Sequence, residues 1–432
     1  MKKRFIFILC GLFLCAGTIA ATDYNVLQLG VVGDGKTLNT QSLQSAIDAL
    51  HAKGGGQLYF PAGRYLTGSL QLKSNVTLYL EKEAMLLGST SPYDYPGFST
   101  EKELKVNNDH FDQALIYAEE AENIGITGEG CIDGQGRELA LTIDSLHHTG
   151  ELVDKHYNTY RKRPNTRPKL LFMRNCRKVE LRKTNFRSGA AWGLSFSLCV
   201  DLTIDSLHVG NRAYWNNDGI DISDCKDVRI SNCFINSADD GICLKSHNRG
   251  AWNDRVSISN CHIISSASAI KFGTESLGGF KNVTIDNIRI KDTFRSAIAI
   301  ESVDGAEIEN VKLENIEIVC PGRATRGMAY MSVSRLKDVP ENEKGYPEFT
   351  MFEELPSWGF YVRHVKGIQM HNVKLRLQED DFRPAFVFDR VSDVRLSDIS
   401  LPENKKAGQV VLRQTSLQSA DNAVKEYVRE VE

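Results

Sequence analysis

Three aspartates stand out near the middle of the chain because two near-copies of one short phrase bring them together. Asp218 opens the phrase Asp-Gly-Ile-Asp-Ile-Ser, and Asp240, 22 residues later, opens Asp-Gly-Ile-Cys-Leu-Lys. A repeat at this period is typical of a solenoid, in which residues of the same phase stack on successive coils. Parallel strands stack about 4.8 Å apart, so Asp218 and Asp240 are predicted to be neighbours, with Asp239 beside them.

A cluster of three carboxyl groups is suited to acid–base chemistry. Like charges held close together raise the pKa of at least one carboxyl group, so that an acid and a base coexist at one pH. A turn-capping role explains a single Asp-Gly pair, but it does not explain three carboxyl groups gathered on two coils. We therefore take Asp218, Asp239 and Asp240 as the candidate catalytic residues.

The strands that position this cluster follow a phrase of the form Val-x-Ile/Leu-x-Asn/Asp/Ser-x-x-aliphatic, which recurs from Val179 to Val394. Alternation within each copy directs aliphatic side chains inward and polar side chains outward. Residues 22–402 are therefore predicted to form one all-β domain, a single right-handed parallel β-helix. We expect the asparagines of one turn phase to stack as a ladder: Asn185, Asn232, Asn260, Asn287, Asn310 and Asn372.

Both ends of the chain depart from the coil pattern. Residues 1–21 combine a basic start with an apolar run, which is typical of a secretory signal peptide and predicts an exported protein, periplasmic or secreted. Residues 403–432 are predicted to form a polar tail with a helix near 415–431. Residues 37–52 predict an amphipathic helix that caps the first coil, with an apolar face made of Leu43, Ala46, Ile47 and Leu50.

Two stretches interrupt the coil rhythm, residues 137–167 and residues 321–358. Insertions in a solenoid tend to emerge on one face, which is often the binding face. We expect these two insertions to border the candidate site.

The composition argues against two classes of partner. The formal net charge is −3 and becomes more negative without the basic leader, so the surface does not attract nucleic acid. Beyond the leader no apolar run is long enough to cross a bilayer, so we expect no membrane insertion.

The cysteines beyond the leader occupy positions of small buried residues and predict free core thiols. The histidines lack metal-ligand spacing, so we assign no metal and no other cofactor.

Several motifs resemble those of glycoside hydrolase family 28, the polygalacturonase-like hydrolases of pectin. The family's Asn-x-Asp-Gly-x-Asp motif appears from Asn216 to Asp221, and its Asp-Asp motif appears as Asp239-Asp240. The segments GDGKT, GGGQLYFPAGRY, IDGQG and RPKLLF match in the same order. The likeness runs from about residue 29 to about residue 401.

The resemblance implies distinct roles for the three aspartates. It makes Asp239 the general acid, and it makes Asp218 and Asp240 the residues that hold and deprotonate the attacking water. Family members of this kind are inverting hydrolases, which need two carboxyl groups roughly 6.5–9.5 Å apart with room for water. The two like-charged neighbours are expected to raise the pKa of Asp239.

Two basic motifs of the family are missing from this chain. Ser268 stands where the histidine of Gly-His-Gly belongs, and Ala299 and Glu301 replace the arginine and the lysine of Arg-Ile-Lys. In pectin-cutting members these basic residues bind the uronate carboxylate, and a desolvated carboxylate without a partner costs several kcal/mol. Glu301 adds a negative charge instead. We therefore expect weak or no cleavage of unsubstituted polygalacturonate and a preference for a branched pectic or otherwise modified glycan.

Counting along the coils identifies the neighbours of the aspartates. Lys271 shares a column with Asp221 and lies about one rung from the place of the missing arginine. Lys271 either replaces that arginine or pairs with Glu301 on the next rung. Trp192 lies one coil before Asp218 and is the best placed aromatic residue to stack on a sugar. The candidate substrate ligands are Asn216, Asp221, Lys245, His247, Lys271, Glu301 and Trp192.

Two other functions are compatible with the same fold. A polysaccharide lyase would use an arginine or lysine base and would hold calcium on the acidic cluster. A non-catalytic carbohydrate-binding β-helix is suggested by the two missing motifs, but a binder has no need of the intact aspartate cluster. Fold alone does not decide between these functions.

Overall fold

The computed structural model describes residues 22–96, 113–151, 167–302, 304–323, 333–339, 355–402 and 408–432. The predicted signal peptide, residues 1–21, lies outside the described residues and stays a prediction. In the described part, no helix is both long enough and apolar enough to cross a membrane.

Short strands make up most of the described chain. In chain order they are β1 (Thr22–Asn25), β2 (Asp34–Leu38), β3 (Gly56–Phe60), β4 (Gly63–Thr67), β5 (Leu70–Gln71), β6 (Val76–Leu80), β7 (Ala84–Gly88), β8 (Ala114–Glu119), β9 (Glu122–Thr127), β10 (Cys131–Asp133), β11 (Lys169–Arg174), β12 (Arg177–Arg182), β13 (Asn185–Arg187), β14 (Leu194–Ser197), β15 (Val200–Asp205), β16 (His208–Asn211) and β17 (Ile220–Ser223). They continue with β18 (Lys226–Ser231), β19 (Phe234–Ser237), β20 (Ile242–Ser246), β21 (Asn253–Ser259), β22 (His262–Ser265), β23 (Ile270–Ser276), β24 (Phe280–Lys291), β25 (Ile298–Glu301), β26 (Ile308–Cys320), β27 (Phe360–Arg363), β28 (Val365–Leu377), β29 (Phe386–Asp389), β30 (Ser392–Ser400), β31 (Val410–Arg413), β32 (Leu417–Ala420) and β33 (Val428–Val431). The helices are α1 (Thr40–Ala52), α2 (Gly136–Thr149) and α3 (Asn422–Lys425), with 3₁₀ turns at Val26–Leu29, Pro92–Asp94 and Val333–Asp338.

The strands form two parallel sheets around one apolar core. Twelve strands (β5, β8, β11, β14, β17, β20, β23, β25, β27, β29, β31 and β33) form one sheet, which we call the site sheet. Each of its strands pairs with the strand of the next coil, as Ile220 opposite Ile242 and Ile242 opposite Ile270 show. The other 21 strands form the second sheet. This is the right-handed parallel β-helix that the repeats predict.

The repeated phrase determines which side chains enter the core. In β18, Val228 and Ile230 are buried, whereas Arg229 between them is exposed. The same alternation recurs in β15 and β21, so aliphatic side chains of successive coils stack inside the solenoid. A period of two residues is what a strand with one buried face requires.

The first coil is closed by α1, as predicted. Its apolar face, formed by Leu43, Ala46, Ile47 and Leu50, is buried. The helix begins at Thr40 rather than at residue 37 because residues 34–38 form β2. A cap of this kind covers the last core layer of a solenoid.

The C-terminal boundary predicted at residue 402 is wrong, because the coils continue. Strand β31 pairs in parallel with β29, and β33 pairs with β31. The helix expected near 415–431 is reduced to the single turn of α3 between strands β32 and β33. All three strands have four residues, and β32 and β33 are largely exposed, so the periodic signal is too weak to recognise in the sequence.

The turn asparagines stack, but in two ladders rather than one. Asn287 donates to Asn260, and Asn372 donates to Asn315. Asn310 instead bonds to Asn282, five residues earlier in the repeat. The prediction that placed Asn185 and Asn310 in the same ladder is therefore wrong. Asn185 is the first residue of β13 and pairs with His208.

The eight cysteines of the described residues are free thiols, as predicted. Seven of them are buried, and Cys131 is partly exposed. Cys176 and Cys199 stack on neighbouring coils, where the Cys199 thiol donates to the Met173 carbonyl. Burial raises the pKa of Cys199, which keeps its thiol in the neutral form.

A second, smaller apolar cluster covers the outer face of the site sheet near its C-terminal end. Leu336 and Leu355 come from the second insertion, and they pack on Tyr361, Val387 and Val411 of the sheet. This part of the insertion therefore forms a lid of protein over the strands that follow the aspartates.

Candidate active site

The two repeated phrases lie on neighbouring coils of the site sheet, as the sequence predicts. The amide of Gly219 donates to the carbonyl oxygen of Asp240 at 2.9 Å, and Ile220 lies opposite Ile242. Asp218 and Asp240 therefore occupy equivalent positions one coil apart, about 4.8 Å along the axis. Both aspartates are buried.

Glycine follows each of these aspartates because the coils leave no room for a side chain. A Cβ atom at Gly219 would lie 2.4 Å from the carbonyl oxygen of Gly241, and one at Gly241 would lie 2.5 Å from that of Ala269. Such approaches are far inside van der Waals contact. The Asp-Gly repeat is thus a packing requirement that places a carboxyl group at the start of each strand.

Lys245 neutralises part of the acidic cluster from within. Its Nζ lies 2.7 Å from Oδ1 of Asp221 and 3.2 Å from Oδ2 of Asp218, and its side chain is 3% exposed. Lys245 and Asp221 were predicted to bind substrate. The structure instead joins them in a buried ion pair, because β20 brings the amine next to the carboxylate of β17 on the previous coil.

Lys271 serves Asp240 in the same way. Its Nζ lies 3.3 Å from Oδ2 of Asp240, and its side chain is also 3% exposed. The sequence is compatible with two roles for Lys271, substrate binding or an ion pair with Glu301. In the structure its ammonium group instead pairs with Asp240, because β23 stacks directly on β20.

The neighbouring charges separate the pKa values of Asp218 and Asp240. Burial raises the pKa of Asp218 against the opposing charge of Lys245, and the nearby carboxylates of Asp221, Asp239 and Asp240 add to the rise. Burial also acts to raise the pKa of Asp240, but the charges of Lys271, Arg295 and Lys245 prevail and lower it. Asp240 is therefore ionised where Asp218 retains its proton. The sequence placed the raised pKa at Asp239, whereas the structure shows one at Asp218.

Asp239 is the most accessible of the three aspartates, since its side chain is half-buried. The hydroxyl groups of Ser237 and Ser265 donate to its backbone carbonyl oxygen at 2.8 and 2.6 Å and hold the turn in place. Asp239 lines a cavity of about 480 Å³. Its position suits a group that must reach a bound substrate.

Both apolar and cationic side chains line the cavity. Trp215 and Leu141 line it and are 72% and 52% exposed. Arg137 and Arg295 line it as well. Arg137 and Leu141 belong to α2, so the first insertion borders the site as predicted, while residues 152–166 of that insertion lie outside the described residues.

A buried arginine holds the loop that carries Trp215. The Nη1 atom of Arg167 donates to the carbonyl oxygens of Ala190 and Trp215, both at 2.6 Å, and Nη2 donates to Oδ1 of Asn216 at 3.1 Å. Burial lowers the pKa of Arg167 to about 10, which leaves it charged at neutral pH. Asn216 lines the cavity in a left-handed conformation, at φ 55°, that this arginine supports.

Two further predicted ligands are engaged by other groups of the protein. The Lys245 Nζ lies 3.5 Å from the centroid of the Trp192 ring and occupies one of its faces. The imidazole of His247 pairs with the carboxylate of Glu275, and its side chain is 19% exposed. The exposed indole beside the aspartates belongs to Trp215 rather than to Trp192.

Glu301 does not bring a negative charge to the cavity surface, contrary to expectation. It is fully buried, and neither carboxyl oxygen has a hydrogen-bond partner among the described residues. Burial raises the pKa of Glu301 to about 8, against the opposing charges of Lys271 and Arg363. The side chain is therefore mostly neutral at pH 7.

Sequence reasoning missed Arg167 and Arg295. Arg167 precedes a proline at the edge of an insertion, where no spacing rule points to the site. Arg295 was within reach of the coil count. It lies three residues before Ile298, as Asp239 lies three before Ile242, and those isoleucines share a column.

Comparisons with known proteins agree with the geometry. The family model of glycosyl hydrolases family 28 matches residues 56–320. A probable polygalacturonase of Vitis vinifera is 30% identical over 67% of this chain and 57% of its own length, and an exo-poly-alpha-D-galacturonosidase of Dickeya chrysanthemi is 27% identical over 50% and 41%. The chain thus spans about half the length of these curated relatives.

A solved structure shares the fold over nearly the whole chain. The family 28 exopolygalacturonase of Yersinia enterocolitica superposes on 95% of this chain and 77% of its own, with a TM-score of 0.61 and 21% identity. The family match covers the strands that hold all three aspartates and both buried lysines. The chain belongs to glycosyl hydrolases family 28.

Proposed function

We propose that this chain is an exported hydrolase that cleaves glycosidic bonds in a pectic or related polysaccharide with inversion at the anomeric carbon. Family membership supports a polygalacturonase-like glycoside hydrolase. The observation that carries the mechanism is the pair of neighbouring carboxyl groups with opposite pKa shifts next to an accessible third carboxyl group.

In the proposed reaction Asp239 donates a proton to the glycosidic oxygen while the bond from that oxygen to the anomeric carbon breaks. A water attacks the opposite face of the sugar, and its proton passes to the ionised Asp240. Asp218, which keeps its own proton, holds the water by hydrogen bonds. Lys271 helps to keep Asp240 ionised, so the base is ready to accept the proton of the water.

The buried lysines make this division of roles possible. One ammonium shared between Asp218 and Asp221 cannot neutralise both, and the shorter contact is to Asp221. Asp240 has Lys271 in contact, and the charge of Arg295 also acts to lower its pKa. Titratable groups whose surroundings push their pKa values apart are a general mark of acid–base sites.

A glycan screen tests the proposal. The purified protein is incubated with pectic polysaccharides and other plant glycans, and new reducing ends and absorbance of unsaturated products are followed with and without a chelator. We expect new reducing ends without ultraviolet absorbance and without sensitivity to the chelator. Unsaturated, chelator-sensitive products would indicate a lyase, and binding without any cleavage would indicate a carbohydrate-binding β-helix.

A further inference from the structure

Two arginines line the cavity, and neither occupies a position of the family's basic motifs. Arg137 comes from α2, and Arg295 comes from the turn before β25. The motif positions themselves hold Ser268, Ala299 and Glu301, all of them buried. A negative group on the substrate therefore finds its cations on different elements of this chain.

We propose that Arg295 and Arg137 bind a negatively charged substituent of the sugar unit next to Asp239, and that they determine specificity for an anionic glycan. This inference rests on the proposed function, because it concerns the same cavity. Guanidinium groups bind planar or tetrahedral oxyanions through paired N–H donors, so a carboxylate and a sulfate ester are both compatible.

The position of Arg295 follows from the coil register. Ile242, Ile270 and Ile298 stack on successive coils, so Arg295 lies two coils from Asp239, about 10 Å along the axis. That spacing leaves room for a sugar unit between the acid and the guanidinium group. The Arg295 charge also contributes to lowering the pKa of Asp240, which places it within electrostatic reach of the catalytic carboxyl groups.

The lysines cannot take this role, because both are buried in ion pairs with carboxylates of the cluster. Lys245 pairs with Asp218 and Asp221, and Lys271 pairs with Asp240. These two ammonium groups offset the charges of Asp221 and Asp240, so they leave no excess positive charge for an anionic sugar beside Asp239. The arginines that line the cavity supply positive charge there.

Apolar side chains of the same cavity suit the body of a sugar. Trp215 is 72% exposed and Leu141 is 52% exposed, and both line the cavity. An aromatic face packs against the C–H groups of a pyranose ring, while a few polar groups fix its orientation. Apolar stacking and anion binding within one cavity therefore both contribute to orienting the bound unit.

Binding measurements test the inference without relying on turnover. An Asp239→Asn background prevents hydrolysis, and calorimetry follows three probes: a galacturonate tetrasaccharide, its methyl ester, and a sulfated galactan tetrasaccharide. We expect Arg295→Gln and Arg137→Gln each to weaken binding of the preferred anionic probe at least tenfold. Binding of the methyl ester should change less than threefold. The anionic probe that binds more tightly identifies the substituent as carboxylate or sulfate.

Arg289→Gln is the matched control, because Arg289 is 75% exposed on β24 of the other sheet. It should leave all three affinities unchanged. Arg295→Lys retains the charge and should recover part of the lost affinity, which keeps the test valid if Arg295→Gln folds poorly. Equal loss for charged and neutral probes, or no preference for either anionic probe over the ester, would overturn the inference.

Failure of this inference is distinguishable from failure of the proposed function. Binding of an anionic probe through Arg295 together with an absence of hydrolysis by the wild-type protein would reject the hydrolase and retain the anion site. Hydrolysis of a neutral glycan that is unaffected by Arg295→Gln would retain the hydrolase and reject the anion site.

Discussion

The outward face of the site sheet carries charged residues in two regions, and the regions differ in what covers them. In the first, Asp218, Asp240 and their lysines are themselves buried, but they adjoin Asp239, which lines the cavity. In the second, Arg363 pairs with Asp389, which pairs with Arg413 at 2.8 Å on the next coil. All three residues of the second region are buried.

The covering of the second region comes from the second insertion. Leu336 and Leu355 pack on the sheet between residues 361 and 411, and Arg363 donates to the carbonyl oxygen of Val339 in the same segment. Both regions use the same register, which sets charges about one rung apart. The comparison indicates that access, rather than the arrangement of charges, separates a site for chemistry from a structural ion ladder.

The largest expected effect distinguishes the two regions by activity. Asp239→Asn should lower kcat by roughly 10²–10⁴, because it removes the proton donor. The free energy of unfolding should hardly change, since Asp239 is half-buried. Steady-state kinetics on the preferred glycan and thermal unfolding measure the two quantities. Unchanged kcat would remove Asp239 from the mechanism.

The opposite pattern is expected in the covered region. Asp389→Asn breaks two buried ion pairs and should destabilise the protein by about 3–5 kcal/mol, with little effect on kcat of the folded fraction. Asp227→Asn is the control, because its partner Arg255 and Asp227 itself are 53% and 46% exposed, and such a pair contributes less than about 1 kcal/mol. Similar denaturant midpoints for both variants would contradict the structural role of the ladder.

The two regions differ in how much of their structure could be predicted from the sequence. The Asp-Gly phrases and the coil spacing are strictly local, so Asp218, Asp240 and the column of Lys271 could be derived by counting residues. Glu301 could not be understood in this way. Its partner column resumes only at Arg363, beyond an insertion whose length hides the register.

Side-chain contacts that depend on three-dimensional packing also could not be predicted from the sequence. Periodicity places Lys245 on the correct face, but it does not show that the amine turns back to Asp221 rather than outward to a substrate. Arg167 binds carbonyl oxygens of Ala190 and Trp215, which belong to two separate turns. Contacts of that kind depend on loop conformation, which carries no repeating signal.

A smaller effect should follow from removing the cation beside Asp240. Lys271 is a main cause of the lowered pKa of Asp240, so Lys271→Met should raise that pKa. The base then ionises only at higher pH, and the acidic limb of the kcat/KM profile should move upward by about one pH unit or more. Lys226→Met, an exposed lysine of β18, is the control. Identical profiles would show that Lys271 does not tune Asp240.

The smallest effect concerns the pH dependence of stability at the border between the regions. The folded pKa of Glu301 is raised from 4.5 to about 8, so its contribution is fully present below pH 4.5 and is lost as the pH rises toward 8. Glu301→Gln has no proton to bind. Between pH 5 and pH 8, the free energy of unfolding of Glu301→Gln should therefore rise relative to that of the wild type by on the order of 1–3 kcal/mol.

Chemical denaturation at the two pH values measures this change. Parallel stability curves for the wild type and Glu301→Gln would show that the carboxyl group is not protonated in the folded state. The outcome also concerns the candidate site. A neutral Glu301 does not compete with Asp240 for the charge of Lys271.

The stereochemistry of hydrolysis tests the proposed inverting mechanism. The wild-type protein is mixed with its preferred glycan in an NMR tube, and the anomeric proton signals of the first product are recorded before mutarotation. In the proposed mechanism Asp239 and Asp240 act from opposite faces of the sugar with a water between, so we expect the first product to have the anomeric configuration opposite to that of the cleaved linkage. A first product with the configuration of the substrate would contradict the assignment of Asp218, Asp239 and Asp240.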